Sequence, residues 1–225
     1  MYIIGIDDAG RGPIIGSMFL AGVLIKKESE QELKELGARD SKLIPHKERI
    51  SLAKEIKLKV ISFNIQESFP EEIDQAVETI NLNTLEAKKA AQIINELNTK
   101  KDQITVIVDC PSVNLVAWKK TLEKFIAHKE NLTIKCEHKA DFNYPVVSAA
   151  SILAKVARED EIEKIKEKYG NIGSGYPSDP YTKLFLEKHK DELKNSDIIR
   201  KSWATWKTLI GEQVIKKKST QRKLF

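Results

Sequence analysis

At 225 residues and 41% hydrophobic content, the chain is long enough for one well-buried α/β domain with an appendage, since domains commonly run to one or two hundred residues. Two cysteines, Cys110 and Cys136, exclude a multi-bridge disulfide framework, and neither sits in a CxxC or His-rich zinc spacing, so both are read as reduced thiols. The formal charge of +5 is uneven: residues 200–225 carry eight Lys and Arg against the single acid Glu212, while the rest carries 30 basic and 32 acidic residues, so charge alone neither requires nor excludes a nucleic-acid partner.

The chain opens directly on Tyr2-Ile3-Ile4-Gly5-Ile6-Asp7, without a basic leader or small-residue cleavage site, and has no apolar run of roughly 18 residues. This predicts a cytoplasmic, membrane-free protein. Residues 2–7 and 14–25 are apolar runs separated by Ala9-Gly10-Arg11-Gly12-Pro13, a strand–turn–strand pattern that predicts antiparallel neighbours. Ser29 to Leu36 is a short helical pattern ending at Gly37, and Pro45 to Lys57 is a second, opened by its proline. Residues 59–66 alternate apolar with polar and read as a third strand. From Asn83 to Leu97 the apolar positions Leu85, Ala87, Ala90, Ala91, Ile94 and Leu97 repeat at helical spacing.

Strand 104–109, a helix around 115–128 and strand 132–137 follow, and a crossover of that length implies a parallel pair. The sheet is therefore expected to be mixed and five-stranded, antiparallel first and parallel later. Pro145 to Tyr169 is one long helical pattern that starts with the small residues Ser148, Ala149, Ala150, Ser151 and Ala154. Asp179-Pro180 has the cap and first-turn signature of a helix over 181–189, and the chain from Ile199 to the lysine run looks helical. These readings divide the chain into a catalytic domain over 1–180, a helical extension over 181–215 and a basic tail over 216–225.

Asp7 closes the first strand, Asp109 closes the fourth, and Asp141 follows the fifth. In an open α/β sheet the carboxyl ends of neighbouring strands lie side by side and form the ligand crevice, so acids from distant sequence converge there. Clustered carboxylates repel unless protonated or bound to a cation, and hard oxygen ligands suit Mg²⁺ or Mn²⁺. Two such ions roughly 3.5–4 Å apart support phosphodiester hydrolysis. A lone aspartate at a strand end is more often a cap or turn former; the group of four, Asp7, Asp8, Asp109 and Asp141, argues for metal. Asp7 and Asp8 are adjacent, and successive strand residues point to opposite faces, so both reach one site only where the strand gives way to the turn. His138 beside the acids is either a leaving-group proton donor or a structural hydrogen-bonder.

The motifs in order resemble those of type 2 ribonuclease H. GIDDAGRGP (5–13) is similar to the family's G-I-D-E-A-G-R-G-P, Asp40-Ser41-Lys42 to its DSK, and VDC (108–110) to its fourth-strand aspartate. HKAD with YPVVSAASILAKV (138–141 and 144–156) resembles its most specific block, and GSGYPSDP (173–180) is similar to the segment of archaeal and eukaryotic members. The resemblance implies a ribonuclease-H-like α/β fold, a mixed five-stranded sheet flanked by helices with a helical C-terminal extension. It implies a metal-dependent endonuclease that hydrolyses RNA in RNA/DNA hybrids, and nicks 5′ of ribonucleotides in duplex DNA to leave 3′-hydroxyl and 5′-phosphate ends. It implies two divalent ions, Mg²⁺ or Mn²⁺, on Asp7, Asp8, Asp109 and Asp141. Gly10, Arg11 and Gly12 fall on the motif that contacts the 2′-hydroxyl and neighbouring phosphate, and Tyr176 on the tyrosine that packs against the DNA-side sugar. That assignment is chemically consistent, because the 2′-hydroxyl separates RNA from DNA.

Lys42 is a candidate phosphate contact. Ser148 and Ser151 are either strand contacts or merely a small-residue helix start. The family's second acid is glutamate where this chain has Asp8, shorter by about 1.5 Å of reach. Gln221, Leu224 and Phe225 resemble a truncated sliding-clamp-binding box, set against a plain basic end. A monomer is the default expectation. Two other readings stand beside the nuclease: an actin-like kinase or ATPase, which needs a second phosphate loop and usually a duplicated domain, and a non-catalytic nucleic-acid-binding module, for which Asp8 is the best argument.

Overall fold

A computed structural model describes residues 1–37 and 44–212. The strands are β1 (Tyr2–Ala9), β2 (Met18–Lys26), β3 (Ser62–Ser68), β4 (Ile104–Asp109) and β5 (Leu132–Glu137). The helices are α1 (Glu30–Glu35), α2 (His46–Lys59), α3 (Pro70–Thr79), α4 (Leu82–Leu97), α5 (Leu115–Glu123), α6 (Ala140–Asn143), α7 (Pro145–Tyr169), α8 (Pro180–Lys188), α9 (Lys190–Leu193) and α10 (Ala204–Leu209).

The sheet order is β3-β2-β1-β4-β5. β1 and β2 pair antiparallel, as do β2 and β3, whereas β4 runs parallel to both β1 and β5. The mixed sheet expected from the strand–helix spacing is therefore present. β1 is central and apolar on both sides, as a strand covered on two faces must be. Ile4 and Ile6 pack with α4 and α5 on one face, and Ile3 and Ala9 pack with α2 and α7 on the other. Gly5 marks where α7 crosses: a Cβ there would lie 2.5 Å from the carbonyl carbon and oxygen of Val146.

A third core joins chain ends. Ile14 and Ile15 and the second half of α7 (Ile162, Ile165) pack with Phe185, Leu186, Leu193, Ile199 and Trp206 of the extension. The sequence-based division at residue 180 thus runs through one shared core. Cys110 and Cys136 are free thiols, and no described helix is long and apolar enough to cross a membrane.

Several elements differ from expectation: besides those that follow, β1 runs on to Ala9, and the short helices α6 and α9 had no counterpart in the sequence pattern. The second strand starts at Met18, because Ile14 and Ile15 leave the sheet for the third core and Gly16 turns with φ +84°. The third strand lies at 62–68, with α2 running on to Lys59. Helix α3 was not anticipated, although Pro70 followed by Glu71 and Glu72 is a helix-start signal. Residues 199–203 are not helical: Ile199 bridges to Ile15, and among the described residues from 199 to 212 only 204–209 form a helix.

Candidate active site

The site is built at the carboxyl ends of β1 and β4. In their parallel register Ile6 lies beside Val108, so Asp7 and Asp109 follow as neighbours on the α7 face of the sheet. β5 then leads through His138 into Lys139, whose left-handed φ of +57° turns the chain back. The Ala140 N–H donates to Asp109 Oδ1 at 3.1 Å, which docks α6 and brings Asp141 over the strand ends. Carboxylate oxygens of Asp7, Asp109 and Asp141 lie within 4.8 Å of one another. His138 Nδ1–H donates to the Cys110 carbonyl at 3.2 Å, a contact that ties the β4 and β5 exits together.

Burial, and then the charge of Asp8, hold the Asp7 carboxyl well above the usual carboxylate range, opposed by a hydrogen bond from Ser151. Asp7 Oδ1 also accepts from the Asp8 N–H at 2.7 Å. The donor set fits a hard divalent cation: three convergent carboxylates, two on strands and one on the docked helix α6, one of them buried and resisting ionisation, are the arrangement that a positive ion relieves.

Asp8 lies outside that group of three. As the next strand residue it turns from Asp7's face and lines a small cavity with Glu86, and also the groove that holds Arg11 and Lys155. Burial pushes its carboxyl up to about 6, with Arg11 opposing and Asp109 adding to the rise. Glu86, on α4, is a residue that the sequence reading missed. It is almost fully buried and paired with Arg11, whose second arm donates to Asn83 Oδ1 at 2.9 Å. Burial, then the charge of Asp8, pushes Glu86 up to about 7. Its signal was an acid on the buried stripe that continues through Ala90, Ile93 and Leu97.

Beside the acids runs an open groove of about 390 Å³, lined by Asp8, Gly10, Arg11, Gly12, Lys155, Arg158 and Tyr176. Gly10 has φ +85°, a conformation open to glycine. A Cβ at Gly12 would meet the Tyr176 ring at 3.4 Å, so loop and tyrosine form facing walls. Tyr176 is 41% exposed, with the Arg158 guanidinium 5.3 Å from its ring centroid. Its segment is anchored by Gly175, whose carbonyl accepts from Ile14 N at 2.8 Å. Ser148 and Ser151 are both buried in the interface between α7 and the sheet, Ser151 toward Asp7. Lys42, with the rest of the Asp40-Ser41-Lys42 segment, lies outside the described residues, as do Gln221, Leu224 and Phe225.

A family model described as Ribonuclease HII matches residues 4–206. Ribonuclease HII of Methanocaldococcus jannaschii is 43% identical over 236 aligned positions, covering 100% of this chain and 99% of that protein. The crystal structure of ribonuclease H2 from Pyrococcus horikoshii superposes with a TM-score of 0.85 at 36% identity, covering 93% of this chain and 97% of the other. RNase HII in the structure of the PCNA:RNase HII complex from Archaeoglobus fulgidus gives 0.79 at 37% identity, with 90% and 95% covered. The agreement runs through both strand ends that carry the acids and on into the extension, and this chain belongs to the ribonuclease HII family.

Proposed function

We propose that the chain hydrolyses the RNA strand of RNA/DNA hybrids and nicks duplex DNA on the 5′ side of an embedded ribonucleotide, leaving 3′-hydroxyl and 5′-phosphate ends. The convergence of Asp7, Asp109 and Asp141 within 4.8 Å carries this reading. Asp7, Asp109 and Asp141, with Asp8 beside them, would hold two divalent ions, Mg²⁺ or Mn²⁺. Bound there, such ions supply water activation and neutralisation of the charge that develops on the phosphate oxygens. Around them the protein binds and aims. Gly10, Arg11 and Gly12 receive the ribose 2′-hydroxyl and its neighbouring phosphate, where a deoxyribose offers no partner. Tyr176 presents an aromatic face to the next, deoxy, sugar, and Lys42 contacts the backbone phosphate. Ser151 holds Asp7 in its rotamer, and Ser148 packs the first turn of the same helix against the strands.

The deciding assay uses a labelled duplex with one ribonucleotide, with Mg²⁺ or Mn²⁺. A single nick 5′ of the ribonucleotide is expected, and binding without cleavage in either metal would overturn the reading. Asp109→Asn is expected to lower the rate roughly a thousandfold or more while leaving duplex affinity within about twofold, because phosphate contacts carry most of the binding. The protein acts in the cytoplasm as a monomer. Gln221, Leu224 and Phe225 dock on a sliding clamp, a reading supported by the Archaeoglobus relative solved with PCNA. Deleting residues 219–225 should abolish co-migration with the clamp and spare cleavage of short duplexes.

A further inference from the structure

Residues 200–203, far from the acids in sequence, hold the Gly10–Gly12 loop from behind. Arg200 is fully buried and forms no ion pair among the described residues. Its guanidinium donates instead to three main-chain carbonyls: Nε to Gly16 O at 2.8 Å, Nη1 to Arg11 O at 2.9 Å and Nη2 to Gly10 O at 2.6 Å. Trp203 Nε1 donates to Gly12 O at 3.1 Å, and its ring centroid lies 5.0 Å from the Arg200 guanidinium. The turn itself is fixed by Asp74 of α3, which accepts from Lys201 N at 2.7 Å, Ser202 N at 2.9 Å and Ser202 Oγ at 2.6 Å.

A buried cation is costly and, for stability alone, a hydrophobic side chain of similar volume does as well or better. What the guanidinium provides is a rigid planar fork of donors, able to fix several carbonyls at once. In a trans peptide the C=O and the following N–H point in opposite directions, and no described peptide bond is cis. Pinning the carbonyls of Gly10 and Arg11 toward Arg200 therefore turns the N–H groups of Arg11 and Gly12 away from it. Glycine on both sides of Arg11 makes these peptide planes easy to flip, and a flipped plane would offer an oxygen where a donor is needed.

We propose that the Arg200–Trp203 turn is a positioning device for ribonucleotide recognition: Arg200 locks the Gly10–Arg11 and Arg11–Gly12 peptide planes so that the N–H groups of Arg11 and Gly12 are presented as donors to the 2′-hydroxyl and its phosphate. Trp203 anchors the Gly12 carbonyl, which precedes Pro13 and has no N–H of its own to present, so that the end of the loop cannot shift. Discrimination between RNA and DNA thereby depends on residues of the C-terminal extension that lie behind the loop. This inference rests on the proposed reading of the loop as the 2′-hydroxyl site. Donors set in advance cost no reorganisation when substrate arrives. Arg200 and Trp203 are positioning residues.

The test uses the full-length protein carrying Asp109→Asn, to measure affinity without cleavage, for a duplex with one ribonucleotide and for the all-DNA duplex of the same sequence. Arg200→Lys keeps the charge but cannot span three carbonyls, and Trp203→Phe removes one donor while keeping an aromatic ring. Arg200→Lys is expected to lower the preference for the ribonucleotide duplex about tenfold, as for loss of one well-aimed hydrogen bond. Trp203→Phe should lower it by a smaller factor. All-DNA affinity should stay unchanged in both, and so should the thermal shift produced by Mn²⁺ when each substitution is made alone with Asp109 intact, which a merely destabilising substitution would not achieve. If Arg200→Lys fails to fold, Trp203→Phe decides. Unchanged preference in the folded variants overturns the inference. Gly12→Ala, on the loop's groove side, separates the two claims: if it too leaves the preference intact, the loop is not the 2′-hydroxyl site and the underlying reading fails.

Discussion

Asp8 and Glu86 show how two carboxylates a few residues apart in space take different roles from their surroundings. Asp8 points off the face shared by Asp7 and Asp109, and the glutamate in the corresponding position of the family's motif would reach about 1.5 Å further. Asp8→Glu is therefore expected to raise kcat severalfold in Mg²⁺, measured on the single-ribonucleotide duplex at saturation; an unchanged or lower kcat would mean that the short side chain does not limit the site. Glu86 is raised from 4.5 to about 7 by burial first and by Asp8 second. The folded chain then holds this proton more tightly than the unfolded chain does, so stability falls as pH rises from about 4.5 through 7. Glu86→Gln removes that dependence. In metal-free protein its stability relative to the parent should rise across this window, by up to about 3 kcal/mol, read from denaturant melts at pH 5 and pH 8. Chemistry at the residue scale was legible where acids stand near the carboxyl ends of strands: Asp109 closes β4 as expected, whereas β1 runs two residues past Asp7 to Ala9 and so turns Asp8 to the other face. The Asp7–Ser151 and Arg11–Glu86 contacts were not legible, because each joins elements whose relative placement no local pattern encodes.

At the scale of elements, legibility followed how many neighbours an element has to satisfy. β1, β4 and α7 matched expectation closely because each is apolar in a pattern with one solution: a two-faced buried strand or a long small-residue helix. Ile14 and Ile15 were read into the second strand since an apolar run states only that burial occurs, not in which core. The turn at 199–203 looked helical for a similar reason; its residues are committed to the carbonyls of a loop nearly two hundred positions away. The most sensitive junction is the one where α7 crosses β1. Gly5→Ala would drive a methyl to 2.5 Å from the Val146 carbonyl, which is backbone and cannot rotate aside. The expected loss is about 3 kcal/mol or more, seen as a lower Tm. Because α7 carries Ser151 toward Asp7, the folded fraction should also bind Mn²⁺ more weakly.

For the whole molecule, charge is arranged so that the body is slightly acidic, the last 26 residues are basic, and a cation is required between the acids and a polyanionic substrate. Asp7 and Asp8 both hold protons above the ordinary aspartate range, Asp8 to about 6. Protons and metal therefore compete for the same oxygens. The rise in Tm on adding Mn²⁺ should be large at pH 8, where the carboxylates are ionised and repel. It should shrink as pH falls through 6 and be nearly absent at pH 5. In Asp109→Asn it should be small at every pH, and a pH-independent shift would place the metal elsewhere.

The reach of Arg200 back to Gly10, Arg11 and Gly16 spans 184 to 190 residues, which sets an order of events during synthesis. Every acid of the site has been translated by residue 141, yet the loop that faces the substrate acquires its shape only after residue 203. At about 5–20 residues per second, that interval lasts several seconds. During it the nascent chain has its metal ligands but not its selectivity. A fragment that stops between residues 141 and 200 would therefore carry the acids without the contacts that, on the proposal above, let the loop tell RNA from DNA.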